Sequence, residues 1–221
     1  ADRFQVREGP DGTACVSDPA QRGFKPALRA GTSNPIAGSF SRFVARFTRT
    51  DADQEYDRIT VRTPKGLAAS IKDVPYCSEA AIARAIARDD SGDGAIERSN
   101  PSCGEASRVG TTVVSAGAGP SPFYVDGKAY LAGPYKGAPL SLVFVVPAIA
   151  GPFDLGVQVV RAAINVDRRS AQITTVSDEI PKILEGVPLR IRDIRVLMDR
   201  EKFMTNPTTC SEQQVASTIY G

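Results

Sequence analysis

Apolar and polar side chains alternate along several short stretches of the chain. Phe43, Ala45 and Phe47 occupy every second position of one stretch, and Ile59 and Val61 do the same in another. A period of two is typical of β-strands that bury one face. Both stretches are therefore predicted to be strands.

More strand-sized runs follow, separated by Gly and Pro turn signals. They cover residues 109–115, 123–125, 128–131, 141–146, 153–167, 171–176 and 187–199. Asp126-Gly127 is a typical two-residue hairpin signal and predicts a turn. In the last run the apolar positions slip by one at Asp193, which indicates a β-bulge.

One segment, residues 78–88, has the pattern of a helix. Ser78 is suited to cap its amino end and Glu79 to its first turn, and alanine is frequent. Ile82 and Ile86 lie four residues apart and predict a single apolar stripe.

About ten short strands, one helix and 16 prolines predict an all-β fold. The predicted architecture is an antiparallel β-sandwich, or two packed sandwiches, with one short helical excursion. We divide the chain into an irregular lead-in at 1–35 and a β-sandwich domain at 36–221. The helical insertion covers 78–103, and an alternative division lies near 117–122.

The four cysteines are Cys15, Cys77, Cys103 and Cys210. Their even number and wide spacing suit two disulfides, and none forms the CxxC pair of a thiolate metal site or redox centre. Of the three pairings, we favour Cys77–Cys103, which closes a local excursion, and Cys15–Cys210. The alternative is four reduced thiols in a cytosolic protein, but disulfides are the rule outside the cytosol.

Charge and composition exclude several functional classes. The 27 basic and 25 acidic residues give a net charge of +2, so no global basic field indicates nucleic acid. The absence of histidine excludes Ser-His-Asp and Cys-His catalysis and His-ligated zinc. No apolar run reaches transmembrane length, so no membrane insertion is predicted for this segment.

Four strings carry a family resemblance. They are GPYKGAPL at 133–140, AGPFDLG at 150–156, IPKILEGVPL at 180–189 and FMTNPTTC at 203–210. In this order they resemble uncharacterised conserved-repeat extracellular and cell-surface proteins of high-GC Gram-positive bacteria, over roughly residues 34–221. The resemblance implies secretion and a β-rich fold, and it implies no catalytic or binding residues.

An acidic loop is the one candidate metal site. Asp89, Ser91 and Asp93 fit positions one, three and five of a calcium loop, and Gly94 fits position six. Asn100 occupies position twelve, where a calcium loop needs a bidentate Glu. The alternative interpretation is a solvated turn within the excursion.

Three tyrosines form the candidate binding site. Tyr124, Tyr130 and Tyr135 lie close together in sequence, and an exposed aromatic group could stack on sugars or anchor a protein. The alternative is structural, because strands favour tyrosine.

Charged side chains supply two further hypotheses. The first hypothesis is that a stripe of arginines binds an anionic cell-wall polymer or an acidic partner. The alternative is that these arginines pair with acids on neighbouring strands. The arginines of the stripe are Arg42, Arg46, Arg190, Arg192, Arg195 and Arg200. The second hypothesis is that two of the acidic residues form a catalytic carboxylate pair of the glycosidase type. The alternative is that they are solvated surface charges. The acidic residues are Asp178, Glu179, Asp193, Asp199 and Glu201.

The sequence thus predicts an extracellular structural or adhesion-type module of a larger secreted or surface protein, without catalysis. The alternative is a carbohydrate- or cell-wall-binding module, and a carboxylate-dependent glycoside hydrolase is a third hypothesis. The partner is left open among a cell-wall polymer, a glycan and a protein. No cofactor is predicted apart from the calcium candidate.

Overall fold

The computed structural model describes residues 2–9, 12–16, 18 and 21–221. Over these residues the chain forms fourteen strands and two short α-helices. The first strands are β1 (Ala27–Thr32), β2 (Phe43–Thr48), β3 (Arg58–Arg62) and β4 (Ala68–Ala69). The helices α1 (Glu79–Ile86) and α2 (Asp93–Ser99) follow. The remaining strands are β5 (Arg108–Ala116), β6 (Phe123–Ala132), β7 (Leu140–Ala150), β8 (Phe153–Val166), β9 (Ile173–Ser177), β10 (Ile183–Leu184), β11 (Val187–Pro188), β12 (Asp193–Met198), β13 (Met204–Thr205) and β14 (Ala216–Tyr220).

Ten strands join into one large sheet, in the order β1-β2-β12-β5-β6-β7-β8-β9-β3-β14. Every pairing within it is antiparallel. The short strands form two separate pairs, β10 with β11 and β13 with β4. The prediction of an all-β, antiparallel fold is confirmed.

The large sheet curls until it is nearly closed. Phe43 and Phe47 of β2 share one buried cluster with Ile59 of β3, although six strands separate β2 from β3 in the sheet. Beyond the two edge strands, a Cβ built on Gly221 would lie 3.1 Å from the ring of Phe24, so the two ends of the sheet come close together. The architecture is thus one curled sheet, where the sequence predicted sheets stacked face to face. The long strands β7 and β8, paired over most of their length, help to explain this, because a large twisted sheet tends to close on itself.

Two helices cover the outer face of β6, β7 and β8. Ala81, Ile82 and Ala85 of α1 pack in a second buried cluster with Tyr130 and Val143. The side chain of Ser78 caps α1 by accepting a hydrogen bond from the Ala81 amide, as predicted. Ile86 differs from the predicted stripe, because more than half of its side chain is exposed.

The predicted disulfide between Cys77 and Cys103 is present and buried, and it closes the base of the helical insertion. On the outer face, Arg161 of β8 donates two hydrogen bonds to the carboxylate of Glu79, at 2.9 and 2.6 Å. The disulfide and this ion pair together fix α1 to the sheet.

The second helix, α2, was not predicted. Its first amides, those of Gly94 and Ala95, donate to the carboxylate of Asp154 at 3.0 and 2.7 Å. Asp154 lies in β8, beside a break in the register between β7 and β8. A side chain distant in sequence therefore caps α2, and no local pattern announces it.

The predicted turn at Asp126-Gly127 and the predicted bulge at Asp193 are both absent from the structure. Asp126-Gly127 lies in the middle of β6, so the predicted hairpin there is wrong. A Cβ at position 127 would come within 2.7 Å of the Val145 carbonyl oxygen and within 2.9 Å of Thr112 Cγ2, so close packing requires this glycine. The phase slip at Asp193 is no bulge either, because β12 pairs with β2 in unbroken register from Asp193 to Met198.

The predicted lead-in and the predicted domain division also differ from the structure. β1 lies inside the segment predicted to be irregular, 1–35, and pairs with β2 along its whole length. The alternative division near 117–122 falls between β5 and β6, which pair within one sheet. Residues 1, 10–11, 17 and 19–20 of the predicted lead-in lie outside the described residues.

Cys15 and Cys210 are exposed free cysteines, so the predicted Cys15–Cys210 disulfide is absent. The backbone around Cys15 bonds locally, with the Cys15 amide donating to the Arg7 carbonyl at 2.9 Å. Among the described residues, the segment around Cys15 pairs only with itself, through the bridge between Glu8 and Ala14. No strand pairing in the described part of the chain brings Cys15 next to Cys210.

Candidate ligand-binding cavity

The curled sheet encloses a cavity of about 840 Å³. Alternate residues of eight strands form its wall, namely those of every strand in the large sheet except β1 and β14. The period of two that predicted the strands therefore also defines the cavity wall. On the opposite, outer face, Val143 and Val157 pack beneath the helices.

The wall is almost entirely apolar. Phe144 and Leu142 of β7, Val160 and Ile164 of β8 and Val196 of β12 are typical of it. Among the described residues that line the cavity, none is charged. The cavity therefore suits apolar matter and disfavours an ion, because a charge without a partner is costly to bury.

Apolar side chains of the wall remain only half-buried although they point inward. Phe144 and Val160 lie near the middle of their strands and Ile194 is the second residue of β12; all three keep an accessible surface. In a packed core such positions are buried, because protein interiors leave few voids larger than a water molecule. Part of the interior is filled by the buried cluster that includes Phe47, Val109 and Met198.

The cavity is long, and its wall reaches the surface at both ends of β8. Phe153 begins β8 and Val166 ends it; both line the cavity, and they are 67% and 43% exposed. The 14 residues of this strand span roughly 40 Å. Phe123, which is 57% exposed, also lines the cavity and lies beside Gly151 at the Phe153 end. An elongated ligand matches this shape better than a compact one.

Most polar groups on the wall are already satisfied. The hydroxyls of Thr112, Thr175 and Ser177 donate to the carbonyls of Arg195, Val61 and Asp178 respectively. That of Thr63 donates to the Ile173 carbonyl. Gln158 is the exception. Its Nε2 donates to the Val157 carbonyl at 3.2 Å, and its Oε1 accepts no hydrogen bond from the described residues.

The three candidate tyrosines are not brought together. Tyr124 is 52% exposed, with the Arg195 guanidinium 5.3 Å from its ring centroid. Tyr130 is 1% exposed beneath the helices, and burial raises the pKa of its hydroxyl. Tyr135 is half-buried and donates to Asp178 at 2.7 Å. The structure therefore does not gather the three tyrosines into one exposed group, and only Tyr124 among them is exposed.

The calcium candidate is not a gathered site either. Asp89 and Ser91 are exposed, and Asp93 begins α2 within what would be the ligand loop. The part of the chain that the structure describes holds no group of three or more His, Cys, Asp or Glu side chains placed to bind a metal ion.

The stripe of arginines pairs mainly with groups of the protein itself, which agrees with the alternative interpretation of the stripe. Arg46 and Arg195 both bind Asp193, at 2.6 and 2.8 Å. Burial alone would raise the pKa of Asp193, but the hydrogen bonds from Arg46 and Arg195 outweigh it and hold this pKa below its ordinary value. Arg190 binds Asp51 at 3.2 Å.

Three arginines remain from the stripe. Arg192 donates to the Gly119 carbonyl at 2.6 Å, and Arg200 donates to the Ala106 carbonyl at 2.8 Å. Arg42 is exposed.

The candidate carboxylates mostly neutralise nearby cations. Asp178 binds Lys136 and Asp199 binds Arg108, at 2.5 and 2.9 Å. Glu179 lies 4.0 Å from Arg58, and Glu201 is exposed. None of the five lines the cavity.

Sequence reasoning assigned the inward-facing positions to a packed core and so missed the cavity residues. Alternation shows which side chains face inward, but it does not show whether a second layer fills the space.

No helix within the described residues is both long and apolar enough to cross a membrane. No family model matches the chain, and neither a curated protein nor a solved structure is significantly similar to it.

Proposed function

We propose that this domain binds an elongated apolar ligand of the acyl-chain class inside its curled sheet. The observation that carries the proposal is the cavity of about 840 Å³ with an uncharged, largely apolar wall. Pockets for small ligands commonly measure roughly 300–1,000 Å³, lined mainly by apolar side chains with few polar groups. This cavity falls within that range.

The length of the wall selects the shape of the ligand. The lining runs along the whole of β8, from Phe153 to Val166. A flexible chain can follow such a channel and replace accessible apolar wall with contact, which is favourable at about 25 cal/mol per Å². A sugar would leave its hydroxyls without partners against the same wall.

The structural or adhesion-type role predicted from the sequence stays a second proposal. The buried Cys77–Cys103 disulfide favours a robust module and fits an oxidising compartment. A spacer does not need an apolar channel, however, so we rank ligand binding first. We propose secretion and a non-catalytic role for either function.

Displacement of a fluorescent fatty acid tests the proposal. Delipidated protein is titrated with cis-parinaric acid, and hexadecanoate is then added as competitor. We expect saturable binding at one site and full displacement. Binding no stronger than to an unrelated β-protein would contradict the proposal.

Two neighbouring residues of β7 supply matched variants. Ala148 lines the cavity, whereas Ile149, the next residue, does not. Ala148→Trp places an indole in the channel and should weaken probe binding at least tenfold. Ile149→Trp adds the same ring on the other face and should leave binding unchanged. Equal effects of the two substitutions would place the probe outside the cavity.

A further inference from the structure

We propose that Gln158 selects a ligand that carries a neutral hydrogen-bond donor, such as a hydroxyl group, within its apolar chain. This inference rests on the proposed function and names the ligand more closely. It follows from the contrast between Gln158 and the rest of the cavity wall.

Gln158 is the one amide side chain among the described residues of the wall. Its Nε2 donates to the Val157 carbonyl, whereas its Oε1 accepts nothing from the described residues. The wall hydroxyls of Thr112, Thr175 and Ser177 donate to backbone carbonyls, and that of Ser177 also accepts from the Ile59 amide at 3.0 Å. The Gln158 oxygen, an amide carbonyl without a hydrogen bond to the described residues, is the group that we assign to accept a hydrogen bond from the ligand.

The surroundings restrict the kind of donor. With no charged residue lining the described cavity, an ammonium group or a carboxylate on the ligand would lack a counterion beside Gln158. Burying such an unpaired ion is costly, whereas a hydroxyl group needs only a hydrogen bond. A charged headgroup belongs at an open end of the channel.

The position along β8 restricts where the donor lies in the ligand. Gln158 is five residues from Phe153, which is roughly 16 Å along the strand, and eight residues from Val166, which is roughly 26 Å. Apolar wall flanks it on both sides, with Leu155 before it and Val160 after it. The matching ligand therefore has an apolar segment on each side of its hydroxyl group.

A comparison of ligands tests this assignment. Octadecanoic acid and a set of its mono-hydroxylated derivatives, differing in the position of the hydroxyl group, displace cis-parinaric acid from the wild-type domain. We expect one interior position to bind about five- to tenfold more tightly than the plain acid, the effect of one additional buried hydrogen bond.

Variants then assign the preference to one residue. Gln158→Met keeps an unbranched side chain of similar length and removes the acceptor. It should abolish the preference, measured as the ratio of the affinities for the hydroxylated and the plain acid. Thr175→Val removes a wall hydroxyl that already donates to the Val61 carbonyl, and it should keep the preference.

The outcomes separate the two proposals. If wild-type protein binds all the acids equally, or if Gln158→Met retains the preference, the role of Gln158 is wrong while apolar binding stands. If neither plain nor hydroxylated acids displace the probe, both proposals fail. The wild-type comparison decides even if Gln158→Met does not fold.

Discussion

Gly127 shows why one residue type can carry two opposite meanings. After an aspartate, a glycine usually marks a tight hairpin, because both central positions of the turn need positive φ. Here Gly127 lies within β6, and its missing side chain lets β5, β6 and β7 pack closely. Sequence reasoning could not separate a glycine chosen for its backbone freedom from one chosen for its small size.

Gly127→Ala should therefore destabilise the domain. Its new Cβ would meet the Val145 carbonyl oxygen at 2.7 Å, and we expect a loss of about 1–3 kcal/mol in the free energy of unfolding, measured by urea denaturation. Gly31→Ala is the matched control, because Gly31 also lies in a strand and its Cβ would have no atom within 4 Å. Equal stability of the two variants would contradict the close packing.

Asp193 makes the stability of the domain depend on pH. Its pKa is lowered from 3.8, despite its burial, by hydrogen bonds from Arg46 and Arg195. A carboxylate with a lowered folded-state pKa stabilises the fold above its unfolded pKa, and this stability is lost as pH falls through the folded value.

Asp193→Asn should lower the free energy of unfolding at neutral pH by about 1–2 kcal/mol, since both arginines are partly exposed and screened by solvent. The difference from wild type should shrink below about pH 4. Asp126→Asn, on an exposed acid of β6, is the control. A deficit that stays constant down to strong acid would show that ionisation of Asp193 is not its cause.

At the scale of elements, local signals identified α1 but not α2. Ser78 and Glu79 are adjacent to the helix they start, so the sequence displays them together. The amino end of α2 is capped instead by Asp154, about 60 residues away in sequence. The cysteines show the same dependence on distance in sequence. The disulfide between Cys77 and Cys103, which lie near each other in sequence, was predictable, whereas the free state of Cys15 was not.

The disulfide should stabilise the helical insertion and, through it, the sheet. Cys77 and Cys103 are 26 residues apart. A crosslink that closes a loop of this size lowers the entropy of the unfolded chain and so raises the free energy of unfolding by about 3 kcal/mol. We expect a Cys77→Ala, Cys103→Ala double variant to lose roughly that amount in urea denaturation. Cys15→Ser, Cys210→Ser removes two exposed thiols and should match wild type. A comparable loss in this second variant would reveal a bond between Cys15 and Cys210.

At the scale of the whole molecule, the β class was predictable and the cavity was not. Alternation at Phe43, Ala45 and Phe47 correctly gave a buried face to β2. Whether a buried face meets another sheet or curls around open space depends on the pairing of distant strands. That pairing, β2 with β12 and β3 with β9, has no local signature.

A ligand in the cavity should raise the thermal stability of the whole domain. Binding to the folded state alone adds RT ln(1 + [L]/Kd), about 2.7 kcal/mol at a free ligand concentration one hundred times Kd. Differential scanning calorimetry of delipidated protein with and without hexadecanoate should show a higher Tm with ligand. Ala148→Trp, which narrows the channel, should reduce this rise. An identical Tm with and without ligand would argue against binding to the fold.

The nearly closed sheet also limits how copies of this domain can associate. Among the described strands, β1 pairs only with β2 and β14 only with β3, so each has one side without a strand partner. Such edges invite pairing between chains, and short strands with charged residues discourage it. β1 has six residues with Arg29 near its middle, and β14 has five. Copies of this domain therefore have little edge on which to fuse into a continuous intermolecular sheet, and can stay separate at high concentration.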